Sequence, residues 1–137
     1  MFKDVVTYDT IFLSKSFNKL AKACELTDEQ LIVAIDEMDD GIVDANLGGA
    51  LFKKRIAVRG RGKSSGVRTI LGFKQGDRAF FVYVFSKSNQ SNISKSEKAA
   101  FIEQSKIYFS LDEKMLIKAC NSGALREIVD FKESENE

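Results

Sequence analysis

The stretch LFKKRIAVRGRGKSSGVRTILGFKQGDRAFFVYVFS, Leu51–Ser86, decides the fold. From Leu51 the side chains alternate between two faces with the period of two that is typical of a β-strand. Val67–Phe73 and Ala79–Phe85 predict two more strands, because turn-forming residues at 75–77 separate them as a hairpin. The last strand is apolar on both faces, which predicts a position in the interior of the sheet.

N-cap residues and a 3.6-residue apolar period predict helices before and after this stretch. Capping boxes, in which Ser or Thr is followed three residues later by Glu or Gln, open helices at Thr27, Ser94 and Ser110. Before the three strands, the sequence predicts a strand over 2–8, a helix from Asp9 or Thr10 to Cys24, a helix from Thr27 to Gly41 and a loop over 41–50. After them it predicts a helix from Ser94, a helix from Ser110 that ends at Gly123, and a strand over 124–129.

This order, β-α-α-β-β-β-α-α-β, predicts an α+β fold in which a small antiparallel sheet carries the helices on one face. The chain shows no internal repeat and no domain boundary, so residues 1–137 are expected to form a single domain. The charged C-terminal residues 132–137 predict a disordered tail.

The absence of histidine restricts the possible chemistry more than any other feature of the composition. It excludes a Ser-His-Asp triad, a Cys-His pair and a histidine-ligated zinc. The two cysteines, Cys24 and Cys120, do not form a C-x-x-C pair and are expected to be reduced, partly buried thiols. Any reaction of this chain is therefore expected to depend on Lys, Arg, carboxylates, Tyr or hydroxyls.

The net charge of +1 conceals a strong asymmetry along the chain. Residues 1–52 carry four basic and ten acidic side chains, residues 53–95 eleven basic and one acidic, and residues 96–137 six basic and nine acidic. A basic block in an otherwise acidic protein indicates an anionic partner. The alternative is that the blocks neutralise one another in the fold.

The first half of the basic block contains eight Lys and Arg side chains and no acidic residue. The strand period places Lys53, Arg55 and Arg59 on one face, and Arg68 follows a glycine-rich loop. Such an array can bind successive phosphates, whereas the alternative is a charged sheet edge that resists aggregation. Lys87, at the end of the last strand, is placed to meet this basic face or is an ordinary strand-end lysine.

Two other patterns are interpreted as carrying no site. Gly62–Ser64 looks like part of a P-loop, but the first glycine of that motif would fall at Ala57 and the loop leads into a strand. Asp39, Asp40 and Asp44 are expected to form a solvated acidic cluster, since they lack the spacing of a metal site.

Five segments of the chain form a pattern of their own: Asp44–Gly49 (DANLGG), Lys54–Ala57 (KRIA), Gly62–Thr69 (GKSSGVRT), Arg78–Tyr83 (RAFFVY) and Phe85–Lys87 (FSK). Together they resemble the RelE/HigB-type toxins of bacterial type II toxin–antitoxin modules. The resemblance extends over nearly the whole chain. It implies a microbial-ribonuclease-type β-α-α-β-β-β core with C-terminal helices. It also implies an endoribonuclease that needs neither a metal nor a cofactor, cleaves mRNA in the ribosomal A site and thereby inhibits translation.

The resemblance also implies roles for individual side chains. Arg68 would stabilise the transition-state phosphate, Lys53 would be the general base and Lys87 the general acid. The chain departs from the RelE pattern at Ser88 and Ser94, where that branch has an arginine and a tyrosine, so the identity of the general acid stays open. The basic residues implied to hold the RNA backbone are Arg55, Arg59, Arg61 and Lys63.

By the same resemblance, the partners are a helix-turn-helix antitoxin, the ribosome and mRNA. No secretory signal and no apolar run of membrane-spanning length is visible, so a cytoplasmic location without membrane contact is expected. Two alternatives stay open. One is a ParE-type toxin that poisons DNA gyrase and cleaves nothing itself, and the other is a non-enzymatic module that binds nucleic acid through the basic face.

Overall fold

Six strands and four helices form the part of the chain that the computed structural model describes, residues 10–58 and 66–128. The elements are β1 (Thr10–Ser14), α1 (Lys15–Ala23), α2 (Asp28–Asp39), β2 (Ala45–Gly48), β3 (Leu51–Ile56), β4 (Val67–Phe73), β5 (Arg78–Ser86), α3 (Lys95–Ser110), α4 (Glu113–Ser122) and β6 (Leu125–Ile128). The fold is therefore α+β, as the sequence predicts. The predicted strand over 2–8 and the predicted tail over 132–137 lie outside the described residues.

The strands form one mixed sheet in the order β2-β3-β4-β5-β1-β6. Neighbouring strands are antiparallel except β1 and β5, which run parallel. The position of β5 between β4 and β1 confirms the interior strand predicted from its two apolar faces. The predicted loop over 41–50 contains β2, because Gly48 and Gly49, with φ of +93° and +57°, turn the chain back into a hairpin with β3.

The first helix begins later than predicted, because Thr10–Ser14 is a strand. Strand β1 lies between β5 and β6, where its apolar side chains are buried on both faces. Leu13 of β1 and Phe17 of α1 are buried in the same core although they belong to different elements. Their spacing of four residues in the sequence therefore resembles that of one helix. The N-cap of α1 is Ser14, whose Oγ accepts a hydrogen bond from the Phe17 N–H at 3.1 Å.

The ends of the other three helices follow the predicted capping signals with one exception. The capping boxes predicted at Thr27 and Ser94 open α2 and α3. The box predicted at Ser110 is wrong, because α3 continues through that residue and the Asp112 carboxylate caps α4 instead. Gly123 follows α4 with a φ of +86° and ends it as predicted.

The helices cover both faces of the sheet, so the prediction of helices on one face is wrong. α1 and α2 pack on one face around a core that includes Leu31 and Phe81. α3 and α4 pack on the other face, around Phe80 and Val82. Strands such as β4 and β5 bury side chains on both sides, and they need a covering layer on each. The two sides of the sheet are named the α1 face and the α3 face.

Gly66 is required where the chain enters β4. A Cβ atom at this position would overlap the carbonyl oxygen of Ile56 and lie 3.0 Å from the Ala57 Cα. Both are backbone atoms, which cannot move aside without displacing the end of β3. We expect Gly66→Ala to lower the free energy of unfolding by about 2–3 kcal/mol in urea denaturation.

Gly123→Ala is the control for this prediction. A Cβ atom there would meet no described atom within 4 Å, so only the positive φ penalises the substitution. We expect a loss of about 1 kcal/mol. Equal losses in the two variants would contradict a steric role for Gly66.

One ion pair joins the N-terminus of α2 to the edge strand β6. The Arg126 guanidinium donates to both carboxylate oxygens of Asp28, at 2.8 and 3.0 Å, and this hydrogen bonding holds the pKa of Asp28 below its ordinary value of 3.8. A carboxyl with a lowered pKa stabilises the fold above its unfolded pKa and loses that contribution as the pH falls through the folded value.

We therefore expect Arg126→Ala to cost about 0.5 kcal/mol of unfolding free energy at neutral pH, because the pair is solvent-exposed. In acid strong enough to protonate Asp28 in the folded protein, the deficit should shrink to the small contribution of the hydrogen bond that Arg126 Nε donates to Asn18 at 3.0 Å. Urea denaturation over a pH series measures both values. A deficit of the same size in strong acid would show that Arg126 does not stabilise the fold through its ion pair with Asp28.

Candidate nucleic-acid interface

The register of β3 and β4 brings three of the predicted basic residues to one face of the sheet. Arg55 lies directly opposite Arg68, and Lys53 lies opposite Ile70. Directly paired residues share a face, and Ile70 belongs to the core beneath α3. Lys53, Arg55 and Arg68 therefore lie on the α3 face, and these three residues are called the cationic face.

Arg68 is the most buried member of the cationic face. Its exposed fraction is 6%, and its Nη1 atom has no hydrogen-bond partner within residues 10–58 and 66–128. Its direct neighbours on the adjacent strands are Arg55, a like charge, and Phe85, an apolar ring. Burying a guanidinium without an anion is costly. This position therefore favours the binding of an anion such as a phosphate.

Asp44 brings a carboxylate to the edge of the cationic face. Its backbone N–H donates to the Lys53 carbonyl at 3.1 Å, and its carboxylate accepts from the Arg55 N–H and lies 3.9 Å from Arg55 Nε. Asp44 is exposed, as the sequence predicts, but it is also paired with Arg55. This residue ties the chain before β2 to β3 and partly balances the charge of Arg55.

Lys54 does not belong to the cationic face. The strand alternation turns it to the α1 face, where it is 1% exposed and its Nζ lies 2.7 Å from Oε1 of Glu37 on α2. The interpretation of the whole basic block as a phosphate-binding array is therefore wrong for Lys54. Lys74 is also set apart, because its Nζ lies 4.5 Å from the ring centre of Phe109, beyond the end of β4.

Lys87 follows β5 directly and is exposed. Phe85 lies on the α3 face opposite Arg68, but Lys87 lies in the turn after β5, where the strand alternation no longer sets the direction of a side chain. Among the described residues, none forms an ion pair or hydrogen bond with its ammonium group. The structure thus brings Lys53, Arg55 and Arg68 together on the cationic face and shows no contact between this face and Lys87. The predicted RNA-binding residues Arg59, Arg61 and Lys63 lie outside the described residues.

A hydrogen-bond network fixes the loop that carries Lys87. The Tyr83 hydroxyl donates to Gln90 Oε1 at 2.8 Å, and Gln90 Nε2 donates to Glu97 Oε1 at 3.2 Å. Burial and the charge of Glu97 raise the pKa of Tyr83, so its hydroxyl stays a neutral donor. The Tyr83 ring stacks on Phe101 of α3 at 5.3 Å. Tyr83 therefore packs between sheet and helix and positions the loop.

Other reactive groups lie away from the cationic face. Cys24 and Cys120 are free and partly buried, as predicted, and burial raises the pKa of both thiols, which are protonated at neutral pH. Within the described residues, no three His, Cys, Asp or Glu side chains cluster as metal ligands would. None of the helices there combines the length and the apolar composition of a membrane span.

Three cations on one face of the sheet, one of them buried, indicate an anionic partner. The chain matches the family model described as the RelE toxin of the RelE/RelB toxin–antitoxin system over residues 9–128. It therefore belongs to the RelE toxin family and is the toxin of a toxin–antitoxin module, for which the family implies an antitoxin partner. No curated protein sequence matches the chain. The resemblance read from the sequence motifs is confirmed.

Proposed function

We propose that this toxin is a ribosome-dependent endoribonuclease that cleaves mRNA in the A site and thereby inhibits translation. The observation that carries the proposal is the direct cross-strand pairing of Arg55 with Arg68 on the face that also holds Lys53. Like charges directly opposite each other destabilise a sheet. An RNA phosphate bound at this pair would convert that repulsion into two charge-assisted contacts. Membership of the RelE family supports the same assignment.

In the proposed reaction, the 2′-oxygen of a ribose attacks the adjacent phosphorus and the 5′-oxygen of the next nucleotide leaves. Lys53 accepts the proton of the 2′-hydroxyl as general base, and Lys87 donates a proton to the leaving oxygen as general acid. Arg68 stabilises the charge of the pentavalent phosphate. The products are a 2′,3′-cyclic phosphate and a 5′-hydroxyl, and the proposed reaction needs neither a metal nor a cofactor.

The burial of Arg68 supports its proposed role in the transition state. A guanidinium held between Arg55 and Phe85 on neighbouring strands needs little reorganisation when negative charge develops at the phosphate. The exposed Arg55 is suited instead to holding the RNA backbone. We propose the same backbone-binding role for Arg59, Arg61 and Lys63.

Primer extension on mRNA in a reconstituted translation reaction tests this function. Wild-type protein is expected to cut mRNA at the ribosomal A site, and Arg68→Ala is expected to leave it intact. Arg126→Ala is the matched control, because this arginine lies on the edge strand β6 and pairs with Asp28. It should cleave like the wild type.

Two results would contradict the proposal. Growth arrest with intact mRNA and damaged DNA would indicate a toxin that poisons DNA gyrase. Salt-sensitive RNA binding without cleavage and without growth arrest would leave a non-enzymatic binding module.

We further propose that the antitoxin is a helix-turn-helix protein and that the toxin acts in the cytoplasm, where it meets ribosomes and mRNA. Residues 1–137 are proposed to form a single domain. Co-expression with a small helix-turn-helix protein encoded beside this chain is expected to abolish growth arrest, and the two proteins should co-purify. Co-purification without loss of toxicity would contradict the assignment of the antitoxin.

A further inference from the structure

Helix α3 runs along the α3 face in the direction of β4. Ser105 is fully buried against Gly72 of β4, where a Cβ atom would lie 2.7 Å from Ser105 Oγ. One turn earlier, Phe101 stacks on Tyr83, the cross-strand partner of Ile70. From Ser105 to Phe101 the helix moves four residues toward its N-terminus, about 6 Å, and from Gly72 to Ile70 the strand moves two residues toward its own, about 7 Å. The helix and β4 therefore run in the same direction.

The next step back along β4 leads from Ile70 to Arg68, and the next turn back along α3 leads to Lys98. Lys98 precedes Phe101 by three residues and Ser105 by seven, so it lies on the helix stripe that faces the sheet. Side chains on a helix lean toward its N-terminus, which extends the reach of Lys98 in the same direction.

Lys98 differs from the other sheet-facing residues of α3 because it is exposed. Ser105 is fully buried and Phe101 is half-buried, so the sheet-facing residues of α3 become more exposed toward the N-terminus of the helix. The ammonium of Lys98 forms no ion pair with any described residue. The nearby Glu97 carboxylate is already held by the Ser94 N–H at 2.8 Å and by Gln90.

We propose that Lys98 forms the second wall of the RNA site and binds a backbone phosphate next to the one held by Arg55 and Arg68. Single-stranded RNA then lies between the first turn of α3 and the paired ends of β3 and β4. This inference rests on the proposed function, since it adds a residue to the same site. A phosphate would supply an anion to the ammonium of Lys98, which has no ion pair within residues 10–58 and 66–128.

RNA binding by the isolated protein tests this residue directly. Fluorescence anisotropy with a short, labelled single-stranded uridine oligomer is measured over a series of KCl concentrations. Lys98→Ala is expected to weaken binding about tenfold at low salt and to reduce the slope of log K against log salt by about 0.7, the value for one phosphate contact on a single strand. Lys98→Arg should restore both the affinity and the slope.

Lys106→Ala is the matched control on the same helix. Lys106 lies about 80° around α3 from Lys98, and its Nζ pairs with Glu103 at 3.3 Å. Its replacement should change the affinity less than about twofold. An effect of Lys98→Ala no larger than that of Lys106→Ala would overturn the inference.

Arg55→Ala separates this inference from the proposed function. If Arg55→Ala weakens binding and Lys98→Ala does not, the cationic face binds RNA and the role of Lys98 is wrong. If Arg55→Ala and Lys98→Ala both bind RNA as tightly as the wild type, the role of Lys98 and the RNA site on the cationic face are both wrong. The same holds if the wild type binds no RNA. If Lys98→Ala lowers the salt slope but the wild type cuts no mRNA on ribosomes, the RNA site stands and the nuclease assignment fails.

Discussion

Arg68→Met is expected to reduce mRNA cleavage at least about a hundredfold while leaving the free energy of unfolding unchanged or higher. The activity falls because methionine offers no donor to the phosphate. The stability holds because the substitution removes a buried cation whose Nη1 has no partner in the described residues, in surroundings that include Phe85. Primer extension and urea denaturation of the same preparations measure the two quantities.

Arg126→Met is the control for this pair of measurements, since Arg126 is exposed and paired with Asp28. It should retain cleavage and lose only about 0.5 kcal/mol of unfolding free energy. A loss of more than about 2 kcal/mol in Arg68→Met would mean that this guanidinium is satisfied in the free protein. The interpretation that Arg68 gains its anion partner only when RNA binds would then be wrong.

Lys54→Met is expected to have the opposite effect, a loss of about 3 kcal/mol in unfolding free energy with cleavage per folded molecule retained. Lys54 is buried and its Nζ lies 2.7 Å from Oε1 of the partly exposed Glu37, so its removal breaks an ion pair whose lysine lies in the core. The double variant Lys54→Met with Glu37→Leu should recover part of the loss, because it also removes the carboxylate that has lost its lysine. Urea denaturation measures each step.

Lys53→Met, one residue away on the α3 face, is the control for Lys54. It should change the unfolding free energy by no more than about 0.5 kcal/mol and should strongly reduce cleavage. If Lys54→Met lost cleavage and kept its stability, the division of this strand into a structural and a functional face would be wrong.

This division is the part of the site that the sequence predicted best. The period of two from Leu51 already separates Lys53 and Arg55 from Lys54, and the register of β3 and β4 adds Arg68 to the first two. The capping boxes at Thr27 and Ser94 were equally readable, because each depends on residues within one helical turn.

Features that depend on contacts distant in the sequence were not predictable in the same way. Strand β1 is interpreted as the start of a helix until its parallel pairing with β5 is known. The contact of Asp44 with Arg55 depends on the pairing of β2 with β3. Lys98 is one of several exposed lysines until the packing of Phe101 shows which stripe of α3 faces the sheet.

The chemistry of the cut ends tests the central claim most directly. If the cationic face drives attack by the ribose 2′-hydroxyl, mRNA cut on ribosomes by the wild type must end in a 2′,3′-cyclic phosphate and a 5′-hydroxyl. A single 2′-deoxy nucleotide at the cut position must block cleavage, as Arg68→Met does. Ends with a 3′-hydroxyl and a 5′-phosphate, or cleavage that survives the 2′-deoxy substitution, would contradict the account.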